Sequence, residues 1–155
     1  MEAYLIATAC TKFEKKADQT FKSLTEEIYC DLLKSAKVEN GNMIGQAWFG
    51  NCGMGTFGQN NIRGQVCFTP LVQKKLFPER VGIINVEGGC ATGSMAFHGA
   101  WKDVISGTED VSLAIGVEKI YQPNNPEKIQ EIYDGGIDQF DRNEWLEFYG
   151  SIGHE

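Results

Sequence analysis

The sequence lacks the features that mark several large classes of protein. No apolar run is long enough to cross a membrane, and the N-terminus has neither the basic start nor the long apolar stretch of a signal peptide. Basic residues number 14 against 21 acidic ones, whereas a nucleic-acid surface normally needs a basic patch. We therefore expect a cytoplasmic protein that binds neither membranes nor nucleic acids. Its 155 residues suit one domain with a substantial core.

Histidine is scarce and cysteine is unpatterned. His98 and His154 are the only histidines, so the usual ligands of a zinc site are missing and we expect no metal in this chain. The cysteines are odd in number and include no CxxC pair, which indicates reduced thiols in a reducing compartment. The five cysteines are Cys10, Cys30, Cys52, Cys67 and Cys90.

Short, largely apolar runs predict four buried strands. Continuous runs of this kind are typical of strands that are covered on both faces of a parallel sheet. The runs cover residues 3–9, 43–50, 81–86 and 111–120.

The segments between these runs have helical spacing. Apolar residues recur every three or four positions over residues 20–37, which predicts an amphipathic helix. Residues 65–77 predict a partly helical segment that is interrupted at Pro70. A further helix is predicted over residues 91–106 and is closed by Gly107. The alternation of strand and helix predicts an α/β fold, with a mostly parallel sheet sandwiched by helices.

Two other stretches are distinctive in composition. Residues 50–65 are rich in glycine but match a dinucleotide-binding loop only loosely, so we favour a loop at a subunit interface over a phosphate cradle. From Glu127 onward there are eight acidic residues against two basic ones, together with aromatic residues that are rarely left in solvent. We predict a loop-and-helix excursion over residues 121–155 that packs on another surface. The spacing of an EF-hand loop is absent, which argues against calcium binding.

Cys90 stands where the strand predicted over residues 81–86 meets the helix predicted over residues 91–106. Gly88 and Gly89 permit a tight turn, and small residues follow the cysteine. The unpaired N–H groups and the positive dipole end of a helix start favour the thiolate form, which attacks acyl carbonyls. The pattern is similar to the nucleophile elbow of serine hydrolases, with a thiol in place of the hydroxyl.

Two interpretations of Cys90 stay open on these residues alone. Free cysteine is commonly a small buried apolar residue, which is what we expect of Cys30 within its amphipathic helix. The setting of Cys90 favours a catalytic role about as strongly as a structural one.

The stretch from Asn85 to Lys119 resembles the nucleophile region of thiolases, above all the sterol-carrier-protein type and related acetyl-CoA acetyltransferases. Those enzymes carry an asparagine at a strand end, then C-A-T/S-G-S, a helix, and a glycine before a strand that ends in G-x-E-K. The T-K-F loop at 11–13 and the glycine-rich stretch at 50–65 are also similar to the family. The matching residues are Asn85, Cys90, Ala91, Thr92, Gly93, Ser94, Gly107, Gly116, Glu118 and Lys119.

The resemblance implies a fold, a substrate and one site residue. It makes residues 1–120 part of a thiolase-like N-terminal α/β half, incomplete without the rest of the fold, and residues 121–155 the start of the family's loop domain. Thiolases form an acyl-cysteine from an acyl-CoA and make or break a carbon–carbon bond, in 3-oxoacyl-CoA thiolysis or acetyl-CoA condensation. The match makes Cys90 the acyl-accepting nucleophile, with its backbone N–H in an oxyanion hole.

Other catalytic groups of the family are absent from the sequence: an asparagine–histidine element, a G-H-P histidine and a C-x-G cysteine. His98 lies about 12 Å along the helix from Cys90, so we interpret it as a core or interface histidine. Acid–base groups must be within hydrogen-bond reach of the reacting atoms. We therefore expect a second polypeptide or a missing C-terminal part to complete the site. The four predicted strands are also one fewer than the resemblance implies for the sheet of a thiolase half. An exposed sheet edge of this kind invites pairing with another chain.

The resemblance also implies a homodimer or higher oligomer that forms near the cysteine-bearing strand. Two other functions stay open. One is a non-catalytic thiolase-like scaffold or subunit beside a small OB-fold, zinc-ribbon protein, and the other is an α/β domain with a buried thiol. Retention of Cys90 argues against loss of activity, because lyase-type relatives tend to lack that cysteine.

Overall fold

The computed structural model describes residues 2–137. The chain divides into two compact units, Met1–Lys119 and Ile120–Glu155. The first unit contains three strands and three long helices, and the described part of the second contains one short helix. In chain order they are α1 (Phe21–Ala36), β1 (Gln46–Gly50), α2 (Arg63–Gln73), β2 (Gly82–Val86), α3 (Thr92–Ile105), β3 (Ser112–Gly116) and α4 (Glu127–Asp134).

The strands form a parallel sheet in the order β2–β1–β3. The central strand is β1, in which Trp48 is level with Ile84 on one side and with Ala114 on the other. Parallel neighbours need crossover connections, and here α2 and α3 supply them. The predicted α/β fold with a mostly parallel sheet between helices is confirmed.

Successive residues of β1 point to opposite faces of the sheet. Phe49 is fully buried on one face, where its ring lies 6.2 Å from that of Phe68 in α2. Trp48 points to the other face, where its Nε1 donates a hydrogen bond of 2.7 Å to Asp103 in α3. A Cβ added at Gly99 of α3 would come within 2.4 Å of the Trp48 ring, so only glycine permits this close approach. The sheet is therefore covered by α2 on one face and α3 on the other.

The helix predicted over residues 20–37 is α1. Thr20 caps its start by accepting a hydrogen bond from the backbone N–H of Ser23, whose side chain accepts in return from the N–H of Thr20. The apolar face packs on α2 through the fully buried Tyr29, whose ring contacts those of Phe68 and Phe77. The helix ends at Lys37 in the left-handed conformation.

The strand predicted over residues 3–9 is wrong. This stretch forms neither strand nor helix, and Tyr4, Leu5 and Ile6 are 76%, 68% and 64% exposed. Within residues 2–137 its backbone has no hydrogen-bond partner. A strand needs a neighbouring strand that bonds to its backbone groups. In the described part of the chain, no strand pairs with the outer edge of β3, so residues 3–9 have no adjacent strand to pair with.

The interruption predicted at Pro70 is also wrong. Helix α2 begins at Arg63 and runs through Pro70 to Gln73. A proline inside a helix costs roughly 3 kcal/mol because it removes one hydrogen bond and crowds the preceding turn. Full burial of Phe68 and Leu71 on either side contributes roughly 2 kcal/mol each, which offsets that cost.

The helix predicted over residues 91–106 is confirmed as α3. Gly107 has a φ of 73°, and its N–H bonds to the carbonyl of Val104 at 3.1 Å, as expected of a terminating glycine. In the second unit, α4 covers part of the predicted excursion, whereas residues 138–155, with His154, lie outside the described residues. Among the helices described, none combines the length and apolar character needed to cross a membrane.

Candidate active site

Cys90 lies in a tight turn between the end of β2 and the start of α3. The strand ends at Val86, a single 3₁₀ turn covers Gly89–Ala91, and α3 begins at Thr92. Gly89 has a φ of 56°, in the left-handed region that glycine enters at little cost. The cysteine side chain is exposed. The structure therefore places Cys90 at the strand-to-helix turn that the two glycines predict.

Thr92 holds this turn in place from the buried side. Its hydroxyl donates to the carbonyl of Gly89 at 2.7 Å and accepts from the N–H of Gly88 at 2.9 Å. The residue is only 6% exposed. Because one hydroxyl joins two backbone groups of the turn, Thr92 restricts the position of the Cys90 backbone between them.

The backbone N–H of Cys90 has no partner in the described part of the chain. The neighbouring donors are engaged, since the N–H of Gly89 bonds to Glu87 at 2.7 Å and that of Ala91 bonds to the carbonyl of Gly88 at 3.0 Å. Among residues 2–137 the Cys90 N–H forms no hydrogen bond. An exposed thiol and a free donor therefore stand on the same residue, an arrangement that suits attack on a carbonyl and support of the resulting oxyanion.

The glycine-rich stretch folds back onto the end of β3. The carboxylate of Glu118 accepts hydrogen bonds from the N–H groups of Cys52 and Gly53, the latter at 3.1 Å to each oxygen. Asn51 adds a bond of 2.7 Å from its amide to the carbonyl of Val117 and accepts from the N–H of Met54. The N–H groups at 52 and 53 therefore already bind an anionic group, so they are not free to bind phosphate.

Burial changes the acidity of two groups at this loop. Although Glu118 is exposed as a residue, the loop crowds its carboxylate, and this desolvation raises its pKa against the opposing effect of the two N–H donors. Desolvation also raises the pKa of the Cys52 thiol, and a contact of 3.5 Å with the carboxylate of Glu87 adds to the rise. Cys52 is therefore held mainly as the thiol at neutral pH.

Glu87 and Glu118 have roles that the sequence patterns did not predict. Glu87 joins the two turns, since one of its oxygens accepts from Gly89 and also contacts the sulfur of Cys52. In the sequence, Glu118 stood out only by its place in the G-x-E-K pattern, which does not indicate that its carboxylate binds the N–H groups of the glycine-rich stretch. Asn85 of that same resemblance binds the N–H of Gly64 at 2.6 Å and so fastens β2 to the start of α2.

The remaining sequence candidates lie away from the turn. His98 was interpreted as a core or interface histidine. It is exposed on α3, where its ring stacks on Trp101 at 5.4 Å, so the core alternative is wrong and the interface alternative stays a prediction. Cys67 is buried in the core, and Cys30 is half-buried on α1. Within residues 2–137 no three His, Cys, Asp or Glu side chains are grouped so as to hold a metal ion. The packing of the glycine-rich stretch at a subunit interface stays a prediction.

Comparison with known proteins assigns the family. Residues 3–139 match the model of the thiolase N-terminal domain. The chain is similar to the benzoylsuccinyl-CoA thiolase subunit BbsB of Thauera aromatica, with 32% identity over 117 residues that cover 76% of this chain and 28% of that protein. It is also similar to the acetyl-CoA acetyltransferase of Methanocaldococcus jannaschii, with 32% identity over 117 residues, 75% of this chain and 28% of that enzyme.

The match therefore extends over less than a third of the length of each relative. The stretch that matches the thiolase N-terminal domain, residues 3–139, includes the parallel sheet, the turn at Cys90 and the loop held by Glu118. The chain belongs to the thiolase family and has the fold of its N-terminal domain.

Proposed function

We propose that this chain is the nucleophile-bearing part of a thiolase-type acyltransferase and that Cys90 accepts the acyl group from an acyl-CoA. The observation that carries the proposal is the exposed Cys90 at a strand-to-helix turn, inside the stretch that matches the thiolase N-terminal domain. Its backbone N–H makes no hydrogen bond to any residue that the structure describes. The names of both relatives, a benzoylsuccinyl-CoA thiolase subunit and an acetyl-CoA acetyltransferase, support a CoA thioester as the substrate.

In the first step the Cys90 thiol gives its proton to a base, and its sulfur attacks the thioester carbonyl. The negative charge that develops on the carbonyl oxygen is stabilised by the Cys90 N–H, and one such donor contributes a factor of roughly 10²–10³ in rate. The carbon–sulfur bond to CoA then breaks, and the CoA thiolate takes up the proton. The product is an acyl-cysteine.

In the second step a carbanion next to the thioester carbonyl of another acyl-CoA attacks the acyl-cysteine. A carbon–carbon bond forms, and the Cys90 sulfur leaves with the electron pair and regains a proton. The reverse sequence describes thiolysis of a 3-oxoacyl-CoA. Both directions need acid–base groups within hydrogen-bond reach, and we place these groups on a further polypeptide or on a C-terminal part of the chain.

The same proposal covers the organisation of the protein. We infer that residues 1–120 form part of the N-terminal half, that residues 121–155 begin the loop domain, and that the assembly is a cytoplasmic homodimer or higher oligomer. The word subunit in the name of one relative supports a multi-chain arrangement. It also favours the second candidate function, a scaffold subunit beside an OB-fold, zinc-ribbon protein, in which Cys90 would not be acylated.

The experiment that separates the two functions is acetylation of the complete assembly by acetyl-CoA, followed by acid quenching and peptide mass spectrometry. We expect one acetyl group on the peptide that contains Cys90 and none on the peptide that contains Cys52. Acetyl-CoA should also protect Cys90 from iodoacetamide. Absence of acetylation, with equal and unprotected alkylation of both cysteines, would favour the scaffold. The intact mass of the same preparation reveals whether a second polypeptide is present.

A further inference from the structure

Residues 50–53, here called the support segment, lie against the turn that carries Cys90. Contacts between the segment and the turn join Gly50 to Thr92, Asn51 to Val86, and Cys52 to Glu87. The first contact is tight, because a Cβ added at Gly50 would come within 3.0 Å of the Thr92 side chain and 3.3 Å of its carbonyl oxygen. The second is a backbone hydrogen bond of 3.3 Å. The position of Cys90 therefore depends on the position of the support segment.

The carboxylate of Glu118 fastens the support segment to the end of β3. One oxygen accepts from the N–H of Cys52, and both oxygens accept from the N–H of Gly53 at 3.1 Å. Hydrogen bonds to an ionised carboxylate are roughly twice as strong as those between neutral groups. Because β3 pairs with β1 along its whole length, Glu118 follows a strand that the sheet holds in place. The segment is thus clamped to a fixed point.

Two further bonds hold the support segment from outside the turn. The amide of Asn51 donates to the carbonyl of Val117 at 2.7 Å, and the guanidinium of Arg63 donates to the carbonyl of Asn51 at 2.6 Å. An amide does not titrate, and a guanidinium stays charged in proteins. Among these anchors in the described part of the chain, only Glu118 changes its charge when the solution becomes acidic.

The surroundings of the Glu118 carboxylate decide where it titrates. The charged and titratable groups near it are Cys52 after β1, Arg63 in α2, Glu87 after β2 and its own neighbour Lys119 after β3. Desolvation is the largest influence and raises the pKa of Glu118, against the N–H donors and the Arg63 charge. The ammonium of Lys119 is directed to the carbonyl of Ala17, at 3.0 Å. The carboxylate therefore takes up a proton at a higher pH than an ordinary glutamate.

We propose that Glu118 is a positioning residue for acyl transfer: its ionised carboxylate clamps the support segment, and the segment keeps the Cys90 turn in the geometry that attack requires. Glu118 acts through the segment and not through a contact to the reacting atoms. The inference rests on the proposed function, in which Cys90 accepts the acyl group. A displacement of about 1 Å at a reacting centre costs up to roughly 100-fold in rate, so a loosened support is measurable.

The first test compares Glu118→Gln with Glu109→Gln in the complete assembly. Glutamine keeps the size of glutamate but has no negative charge, and its NH₂ group is unable to accept a hydrogen bond. Glu109 is the matched control because it precedes β3, at the opposite end of the strand from Glu118. At neutral pH we expect formation of acetyl-Cys90 to slow by about tenfold in Glu118→Gln and by less than about twofold in Glu109→Gln. Rapid quenching and peptide mass spectrometry measure both rates.

The second test is the pH dependence of the ratio between the acylation rates of the parent protein and of Glu118→Gln. Ionisation of Cys90 and of groups elsewhere in the assembly affects both rates and cancels in the ratio. We expect a ratio of about ten at neutral pH that falls towards about one as the pH drops through the pKa of Glu118, because the parent then also lacks the charge. A ratio that stays constant with pH would overturn the positioning role of the charge.

The third test needs no acyl chemistry. Amide hydrogen exchange in a peptide that covers residues 86–92 should be at least about threefold faster in Glu118→Gln than in the parent, and unchanged in Glu109→Gln. If Glu118→Gln does not fold, the parent supplies the test. Its protection at residues 86–92, corrected for the intrinsic pH dependence of exchange, should fall as Glu118 becomes protonated, and constant protection would contradict the clamp.

These measurements separate the inference from the proposed function. A parent protein that acetylates Cys90, with unchanged acylation and exchange in Glu118→Gln, overturns the positioning role and leaves the enzyme. A parent that is not acetylated contradicts the proposed function, whereas faster exchange of residues 86–92 in Glu118→Gln still supports the link between Glu118 and the Cys90 turn.

Discussion

Two turns of this protein each present a cysteine, and they differ in what surrounds the sulfur. At the turn after β2, Cys90 is exposed, and its N–H forms no hydrogen bond within residues 2–137. At the turn after β1, Cys52 is partly buried, its N–H bonds to Glu118, and its thiol contacts Glu87. Where carboxylates already occupy the backbone N–H groups of a turn, the turn has a structural role. A turn with an unbonded N–H beside an exposed thiol is able to bind an anionic transition state.

The most direct test of the difference between the two turns is to remove the sulfur of each cysteine separately. We expect Cys90→Ala to lower the acyl-transfer rate of the assembly by a factor on the order of 10⁴ or more, because the nucleophile is lost. Cys52→Ala should change the rate by less than about tenfold, since that sulfur only packs against Glu87. Steady-state assays with acetyl-CoA measure both. A similar loss in the two variants would show that the turns are not functionally distinct.

The second comparison concerns what holds the Cys90 turn. Thr92→Val replaces the hydroxyl by a methyl group and leaves the N–H of Gly88 and the carbonyl of Gly89 without their partner. We expect unfolding free energy to fall by about 2 kcal/mol and acylation to slow by about 10- to 100-fold through misplacement of Cys90.

Thr92→Ser is the matched control, because it keeps the hydroxyl and loses only a methyl group. Chemical denaturation and the rate of acetyl-cysteine formation are the two measurements. If valine and serine behave alike, the hydroxyl does not position the turn.

The smallest expected effect concerns the reactivity of Cys52. Its raised pKa leaves little thiolate at neutral pH, so iodoacetamide should modify Cys90 at least about tenfold faster, and the rate at Cys52 should keep rising as the pH increases. Glu87→Gln removes a nearby negative charge and thereby lowers the pKa of Cys52. Its alkylation should therefore become faster, though only modestly, because desolvation is the larger cause of the rise.

Glu87→Gln keeps a side-chain oxygen that is able to accept from Gly89, so the turn at Cys90 should be preserved. Quantitative mass spectrometry of both cysteine peptides over time and pH measures these rates. Slower alkylation of Cys52 in this variant would contradict the assigned role of Glu87.

The turn at Cys90 was predictable because its causes are local. A glycine pair and a helix of small residues determine where β2 stops and α3 starts, and the same residues carry the likeness to thiolases. The stretch at residues 3–9 was not predictable in this way, because its composition favours a strand but strand formation depends on a neighbour distant in the chain. The helix interruption predicted at Pro70 was wrong for a related reason. Burial of Phe68 and Leu71 outweighs the local helix-breaking preference of proline.

By itself the sequence determined the α/β alternation, the bounds of α1 and α3, the placement of Cys90 at a turn, and membership in the thiolase family. These depend on periodicity, capping and short motifs, which act over a few residues. Only the tertiary structure decided that Glu118 occupies the donors of the glycine-rich loop, that Glu87 links the two cysteine turns, and that residues 50–52 lie against the turn at Cys90. Each of these depends on residues far apart in sequence, which meet only once the sheet and its helices have packed.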